Sequence, residues 1–191
     1  MKIGVLALQG AFREHCWMLA DCGVEAVEIR KAAELDDIQG LIIPGGESTT
    51  IGKLLIDWGL MARIKERATE GMAIYGTCAG MILLAKHIAG SDQPRLGLMD
   101  TSVRRNAFGR QCESFEADLY VQEFGEEPVR AVFIRAPYIE EAGDQVKVLA
   151  AVEGKIVIAR QGKFLATAFH PELTKDRRIH QYFIEMIRES L

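Results

Sequence analysis

Met72-Ala73-Ile74-Tyr75-Gly76-Thr77-Cys78-Ala79-Gly80-Met81-Ile82-Leu83-Leu84 passes from an apolar run, through a cysteine bracketed by glycines, into a second apolar run. A short continuous apolar run suits a strand buried on both faces of a parallel sheet. From Ala79 to Ile88, the residues Met81, Leu84, Ala85 and Ile88 recur at helical spacing, which predicts a helix. The join, Gly76-Thr77-Cys78-Ala79-Gly80, has the form of a nucleophile elbow with cysteine in the usual serine position. A side chain held out at so sharp a turn leaves little room two residues either way, so glycine fits at Gly76 and Gly80. A helix amino terminus favours a thiolate, and the Ala79 N–H would point to where an oxyanion forms.

Outward from this segment, the first half alternates. Strands are predicted over Ile3 to Leu8, Val24 to Ile29, Leu41 to Ile43 and Met72 to Tyr75. Helices are predicted over Phe12 to Cys22, from a Ser48-Thr49-Thr50 cap through Leu55, and over Leu60 to Ala68. Such alternation points to βαβ units and a parallel sheet covered on both sides, a flavodoxin-like α/β fold. Ligand sites in such sheets form where strand carboxyl ends meet helix amino ends. The loops Pro44 to Thr50 and Gly76 to Gly80 sit at such positions. The second half reads as an antiparallel extension, with strands over Ser114 to Val121, Val129 to Arg135, Val146 to Val152, Lys155 to Arg160 and Phe164 to Phe169. Two-residue turns are expected at Glu153-Gly154 and Gln161-Gly162, and a last helix over Arg177 to Glu189. Gly90 to Arg110 is loop-rich.

A chain of 191 residues suits one domain. Acidic residues outnumber basic ones, 27 to 23, which argues against the basic footprint of a nucleic-acid binder; Arg104, Arg105 and Arg110 form only a small local cluster. No apolar run approaches the roughly 18 residues of a membrane span, and the apolar start ends at Leu8, too short for a signal-peptide core. Cys16, Cys22, Cys78 and Cys112 show no paired spacing. They read as reduced thiols in a cytoplasmic protein.

Three further motifs carry chemistry. His170-Pro171-Glu172 follows an apolar strand. Pro171 disfavours helix at His170, so the pair is expected extended with both side chains on one side. A carboxylate there can select the imidazole tautomer and stabilise its protonated form. His15, His87 and His180 fall in predicted helices and read as surface histidines. Pro44-Gly45-Gly46-Glu47-Ser48 permits close backbone approach to a ligand, and the Gly46 N–H could serve as a second oxyanion donor. Arg105 and Arg135 could each bind a carboxylate, although on these residues alone a solvated surface charge is the favoured reading.

Together these segments resemble the class I (triad-type) glutamine amidotransferases, with Cys78, His170 and Glu172 at the triad positions. The resemblance narrows to the glutaminase subunits of the two-protein pyridoxal 5′-phosphate synthase. It narrows on Gly4 to Ala11, Arg13-Glu14-His15, Gly40 to Thr50, Arg105-Asn106-Ala107-Phe108-Gly109-Arg110-Gln111, Ser114 to Asp118, Phe133 to Pro137 and Phe169 to Thr174. This implies glutamine binding by Gly46, Glu47, Ser48, Arg105, Ile134 and Arg135. It also implies hydrolysis of L-glutamine through a γ-glutamyl thioester without a cofactor. The partner implied is a barrel-shaped synthase subunit in a large hetero-oligomer, twelve copies of each, on which the glutaminase depends for activity. The triad is shared by ammonia-donating subunits of other synthases, and an elbow cysteine also suits a flavodoxin-like redox sensor. A sensor, however, has no use for His170-Pro171-Glu172.

Overall fold

The computed structural model describes residues 1–105 and 114–189. Asn106 to Gln111 and Cys112 lie outside the described residues. In chain order the elements are β1 (Lys2–Leu6), α1 (Phe12–Asp21), β2 (Glu25–Ile29), β3 (Gly40–Ile43), α2 (Ser48–Asp57), α3 (Leu60–Thr69), β4 (Ala73–Thr77) and α4 (Ala79–Leu84). There follow β5 (Ala85–Ile88), β6 (Met99–Arg104), β7 (Ser114–Leu119), β8 (Val129–Ile134), β9 (Tyr138–Ala142), β10 (Lys147–Val152), β11 (Lys155–Gln161), β12 (Phe164–Thr167) and α5 (Arg178–Arg188).

Among the described residues ten strands form one mixed sheet in the order β2-β1-β3-β4-β12-β11-β9-β6-β5, with β10 on β11. The run from β2 to β12 is parallel throughout. Strands β3 and β4 are buried along their whole length, as their unbroken apolar sequences require. From β12 outward the pairings to β11, β10, β9 and β6 are antiparallel. This is the α/β architecture expected, with its antiparallel extension. From β1 the chain crosses outward to β2, and from β3 it crosses the other way to β4. Right-handed crossovers therefore put α1 on one face and α2 with α3 on the other. Helix α5 joins α1, where His15 meets His180, and its Phe183 packs on Tyr75 of β4. The β7–β8 hairpin stands apart as a two-stranded sheet; its Phe133 packs against Phe169, just past β12.

Three expectations are corrected. The helix begun at Ala79 ends at Leu84, not Ile88, because Ala85–Ile88 pairs with β6. Ala85 and Ile88 are buried while Lys86 and His87 are exposed, a spacing that helix and edge strand both satisfy, so the pairing decides. His87 thus lies on a strand. The stretch from Gly90, expected to be loop-rich, contains β6. The last hairpin turn is Gly162-Lys163, one residue later than expected, since Gln161 pairs with Phe164. The turn at Glu153-Gly154 is as expected, with both residues at positive φ, 50° and 76°.

The elbow is built on two close backbone approaches. A Cβ at Gly80 would lie 2.1 Å from the Ile43 carbonyl oxygen, and one at Gly76 would lie 2.4 Å from the Gly80 carbonyl carbon. Both obstacles are backbone, so neither yields cheaply. Gly80→Ala should cost about 1–3 kcal/mol or more, read as a fall of several degrees in the thermal unfolding midpoint. An unchanged midpoint would show that the elbow is not sterically locked.

Candidate active site

Strand pairing assembles the site. β4 and β12 run parallel with Thr77 opposite Thr167, and the Cys78 N–H donates to the Thr167 carbonyl at 2.8 Å. Cys78 comes one residue after β4 and His170 three after β12, so side chains some ninety positions apart reach the same sheet edge. The His170 N–H donates to the Val132 carbonyl at 2.9 Å, which ties this end of the chain to β8. β3 pairs with β4 so that Ile43 faces Gly76, which brings Pro44-Gly45-Gly46 to the same edge. A Cβ on Gly45 would sit 2.3 Å from Cε1 of His170, so the bare glycine backbone packs directly on the imidazole.

Cys78 has φ 48° and ψ −101°, a conformation costly for a side chain with a Cβ and typical of residues held for function. Helix α4 behind it has only six residues, so the local N–H groups at its start matter more than a long helix dipole. Cys78 is 8% exposed. It lines a cavity of about 310 Å³, together with His170. Gly46, Glu47, Ser48, Arg105, Ile134 and Arg135, the six residues expected to bind substrate, line it as well. Arg135 has φ 43°, a second strained backbone in the same wall. The Ile134 carbonyl lies 4.0 Å from the Cys78 sulfur.

His170 Nδ1–H donates to Glu172 Oε1 at 2.8 Å. The pair is not extended as expected: Pro171–Leu173 forms one turn of 3₁₀ helix, since proline suits a first helical position. The two side chains meet across that turn. Burial alone would push His170 down, but hydrogen bonds with Cys78 and Glu172 take it up to about 10. Burial also works against the Glu172 carboxylate. His15 and His170 more than offset it, and its carboxyl stays below the usual glutamate range.

The α2 cap differs from the Ser48-Thr49-Thr50 expectation. Glu47 is the N-cap, its carboxylate accepting from the Thr50 N–H at 2.7 Å and the Thr49 N–H at 3.3 Å, while Ser48 is the first helical residue. A carboxylate, with an oxygen for each, satisfies two of the orphan amides at once. Arg105 donates to Gln93 Oε1 at 2.8 Å, and the Ser48 hydroxyl donates to the same oxygen at 3.3 Å. Arg104 is turned away, paired with Glu140.

Four residues escaped the sequence reading. Gln9 lines the cavity and accepts the Glu47 N–H at 2.7 Å; it follows β1, a strand carboxyl end that the placement rule for such sites also covers. Gln93 was hidden in the loop-rich stretch. His15 and His180 are not surface residues: both are fully buried, with His15 Nδ1 2.8 Å from His180 Nε2 and His15 Nε2 3.4 Å from Glu172 Oε2. Their signal lay in α1 and α5, where they fall on the apolar faces beside Leu19 and Phe183.

An elbow cysteine and an imidazole lining one cavity, with a buried carboxylate bonded to the imidazole, are the equipment of a cysteine-dependent amidotransferase. A profile of the SNO glutamine amidotransferase family matches residues 5–189. The chain is 66% identical over 185 residues to the pyridoxal 5′-phosphate synthase subunit PdxT of Pelotomaculum thermopropionicum, covering 97% of this chain and 94% of that protein. It is 62% identical to the protein of the same name from Carboxydothermus hydrogenoformans over the full length of both. Among solved structures, one described as a glutamine amidotransferase matches with a TM-score of 0.93 at 53% identity, over 97% of this chain and 98% of that one. A protein of Thermoplasma acidophilum described as a GMP synthase subunit shares the fold, with a TM-score of 0.72 at 18% identity over 99% of this chain and 94% of that one. The chain belongs to the SNO glutamine amidotransferase family.

The buried histidines give the fold an acid limit. Burial lowers the His15 imidazole and takes that of His180 well below its usual 6.5. Below about pH 6.5 the unfolded chain therefore binds protons that the native one refuses, so stability is full above that pH and falls as pH drops. His170 works in the opposite sense, with its contribution complete below 6.5 and lost as pH rises through about 10. Denaturant midpoints should thus decline from pH 7 to 5.5, less steeply in a His180→Phe variant. Equal slopes for the two proteins would contradict this assignment.

Proposed function

We propose that this chain hydrolyses L-glutamine to glutamate and ammonia at Cys78 and delivers the ammonia to a pyridoxal 5′-phosphate synthase subunit. The single observation that carries the chemistry is the strained Cys78 in the cavity wall, backed by the His170–Glu172 pair. Family membership and the names of its relatives support the substrate and the partner.

In this reading His170 already holds the Cys78 proton as an imidazolium beside the sulfur, and the sulfur adds to the glutamine δ-carbonyl carbon. The oxyanion is held by the N–H groups of Ala79 and Gly46. His170 then protonates the leaving nitrogen, ammonia departs, and a γ-glutamyl thioester remains on Cys78. With its proton gone, His170 activates a water that attacks the thioester, releasing glutamate and restoring the thiol. Glu172 holds the tautomer in which Nδ1 is protonated, leaving Nε2 free to face the sulfur and the substrate.

Arg105 and Arg135 give the cavity a positive side for the α-carboxylate. Glu47 supplies the opposite charge for the α-amino group. Gly46, Ser48 and Ile134 complete the pocket with backbone and small polar groups. The whole chain acts as one domain, in the cytoplasm, docked on the synthase in a large hetero-oligomer of twelve copies each.

With the synthase subunit present, Cys78→Ala should remove ammonia release by at least about 10³-fold while leaving the circular dichroism spectrum and glutamine binding in place. Ammonia release by Cys78→Ala at the wild-type rate would end the proposal. Wild-type activity should rise when the synthase subunit is added, and a rise with an unrelated ammonia acceptor instead would contradict the partner assignment.

A further inference from the structure

Glu172 has two carboxylate oxygens, and the reaction as proposed uses one. Oε1 accepts the His170 Nδ1–H at 2.8 Å. Oε2 is buried and has no hydrogen-bond partner. His15 Nε2 lies 3.4 Å from it and also 3.3 Å from Thr77 Oγ1. His15 is itself fully buried and meets His180 Nε2 through its other nitrogen, at 2.8 Å. His180 Nδ1 is buried with no partner. A chain of three groups therefore runs from the active-site carboxylate into the space between α1 and α5.

The chain has a preferred protonation pattern. If His15 carried its proton on Nδ1, its Nε2 lone pair would confront the Glu172 carboxylate. His180 would then donate nothing to His15, and its remaining proton, on Nδ1, would be a buried donor without an acceptor, the costlier kind of orphan. With the proton on Nε2 in both rings, His15 donates towards Glu172 Oε2 and Thr77, and His180 donates to His15. Only an acceptor, His180 Nδ1, is then left over. Both rings stay neutral in that pattern, so neither takes the carboxylate's charge away from His170.

We propose that His15 is a positioning residue for the glutaminase reaction, its Nε2–H anchoring the second oxygen of Glu172 while His180 fixes its tautomer. The proposal rests on the triad reading above and adds a member behind it. Glu172 sits on a single 3₁₀ turn, and rotation of its carboxylate would carry Oε1 off His170. A second tether on Oε2 opposes that rotation. A misplacement of such a group by about 1 Å can cost on the order of 100-fold in rate.

The test uses the glutaminase with its synthase subunit and compares His15→Gln with His15→Met. The two replacements have similar length and shape, but only glutamine keeps an N–H where Nε2 lies. His15→Met should lower kcat on the order of 10- to 100-fold with the KM for glutamine little changed, and His15→Gln should recover most of the loss. In a Glu172→Gln background His15→Met should have little further effect, because the group it positions is already gone. Equal losses in Met and Gln, or a full additional loss in the Glu172→Gln background, would reduce His15 to packing and overturn the proposal. Wild-type kcat in His15→Met would do the same. Glu172→Gln with wild-type kcat would instead bring down the triad reading, and this proposal with it. Should both His15 variants unfold, ¹⁵N shifts of the wild-type histidine rings decide: His15 protonated on Nε2 at pH 7 to 8 is expected, and protonation on Nδ1 overturns the proposal.

Discussion

The site depends on one ladder of backbone hydrogen bonds, the parallel pairing of β4 with β12. Neither strand carries a catalytic side chain, yet their register fixes where the next residues go. Thr77 opposite Thr167 places Cys78 and His170 at the same carboxyl edge, and a slip of one residue would turn every side chain of one strand to the other face. The adjoining β3–β4 pairing sets the third component, since Ile43 opposite Gly76 lands the double glycine against the imidazole. The position of the proposed chemistry follows from three largely buried strands, among the hardest parts of such a molecule to deform.

Against that rigid base the cavity wall holds its strain in two places. Cys78 and Arg135, which both line the cavity, have positive φ without being glycine. Tight packing can hold such conformations. Cys78 is locked between β4 and α4, where the glycines at 76 and 80 leave no slack, and Arg135 leaves β8 directly beside the residues that fix the His170 backbone. The charges are divided in the same spirit. The Glu47 carboxylate caps α2 and Arg105 is steadied by Gln93, so both reach the cavity with their orientation already set, while the Glu172 carboxylate is buried behind it among imidazoles.

How much of this was legible in the sequence depended on whether a signal was local. The strands at the sheet centre were visible because burial on both faces writes itself as continuous apolar runs. The far edge was not. Ala85–Ile88 has a buried-exposed-exposed-buried pattern that helix and strand share, Tyr138–Ala142 carries two glutamates, and Met99–Arg104 alternates but with Thr101 on the inward side. The cysteine elbow, the histidine–carboxylate pair and the double glycine could be read because each is a short motif with its own steric or electrostatic logic. Gln9, Gln93 and His15 could not, because what makes them matter is a partner far along the chain: Glu47, Arg105 and Glu172. His15 and His180 looked like surface residues on helices, and only the packing of α1 against α5 shows that their polar atoms face each other and the carboxylate.

The most direct test of the account is to look for the bond it requires. Rapid acid quenching of the glutaminase with its synthase subunit during turnover of glutamine, followed by peptide mass spectrometry, should find a γ-glutamyl group on Cys78. The group should decay as glutamate appears, and it should fail to form when His170, which the acylation step also needs, is replaced. Steady ammonia release with Cys78 unmodified at every quench time, or with the acyl group on another residue, would contradict the claim that this strained sulfur is the nucleophile.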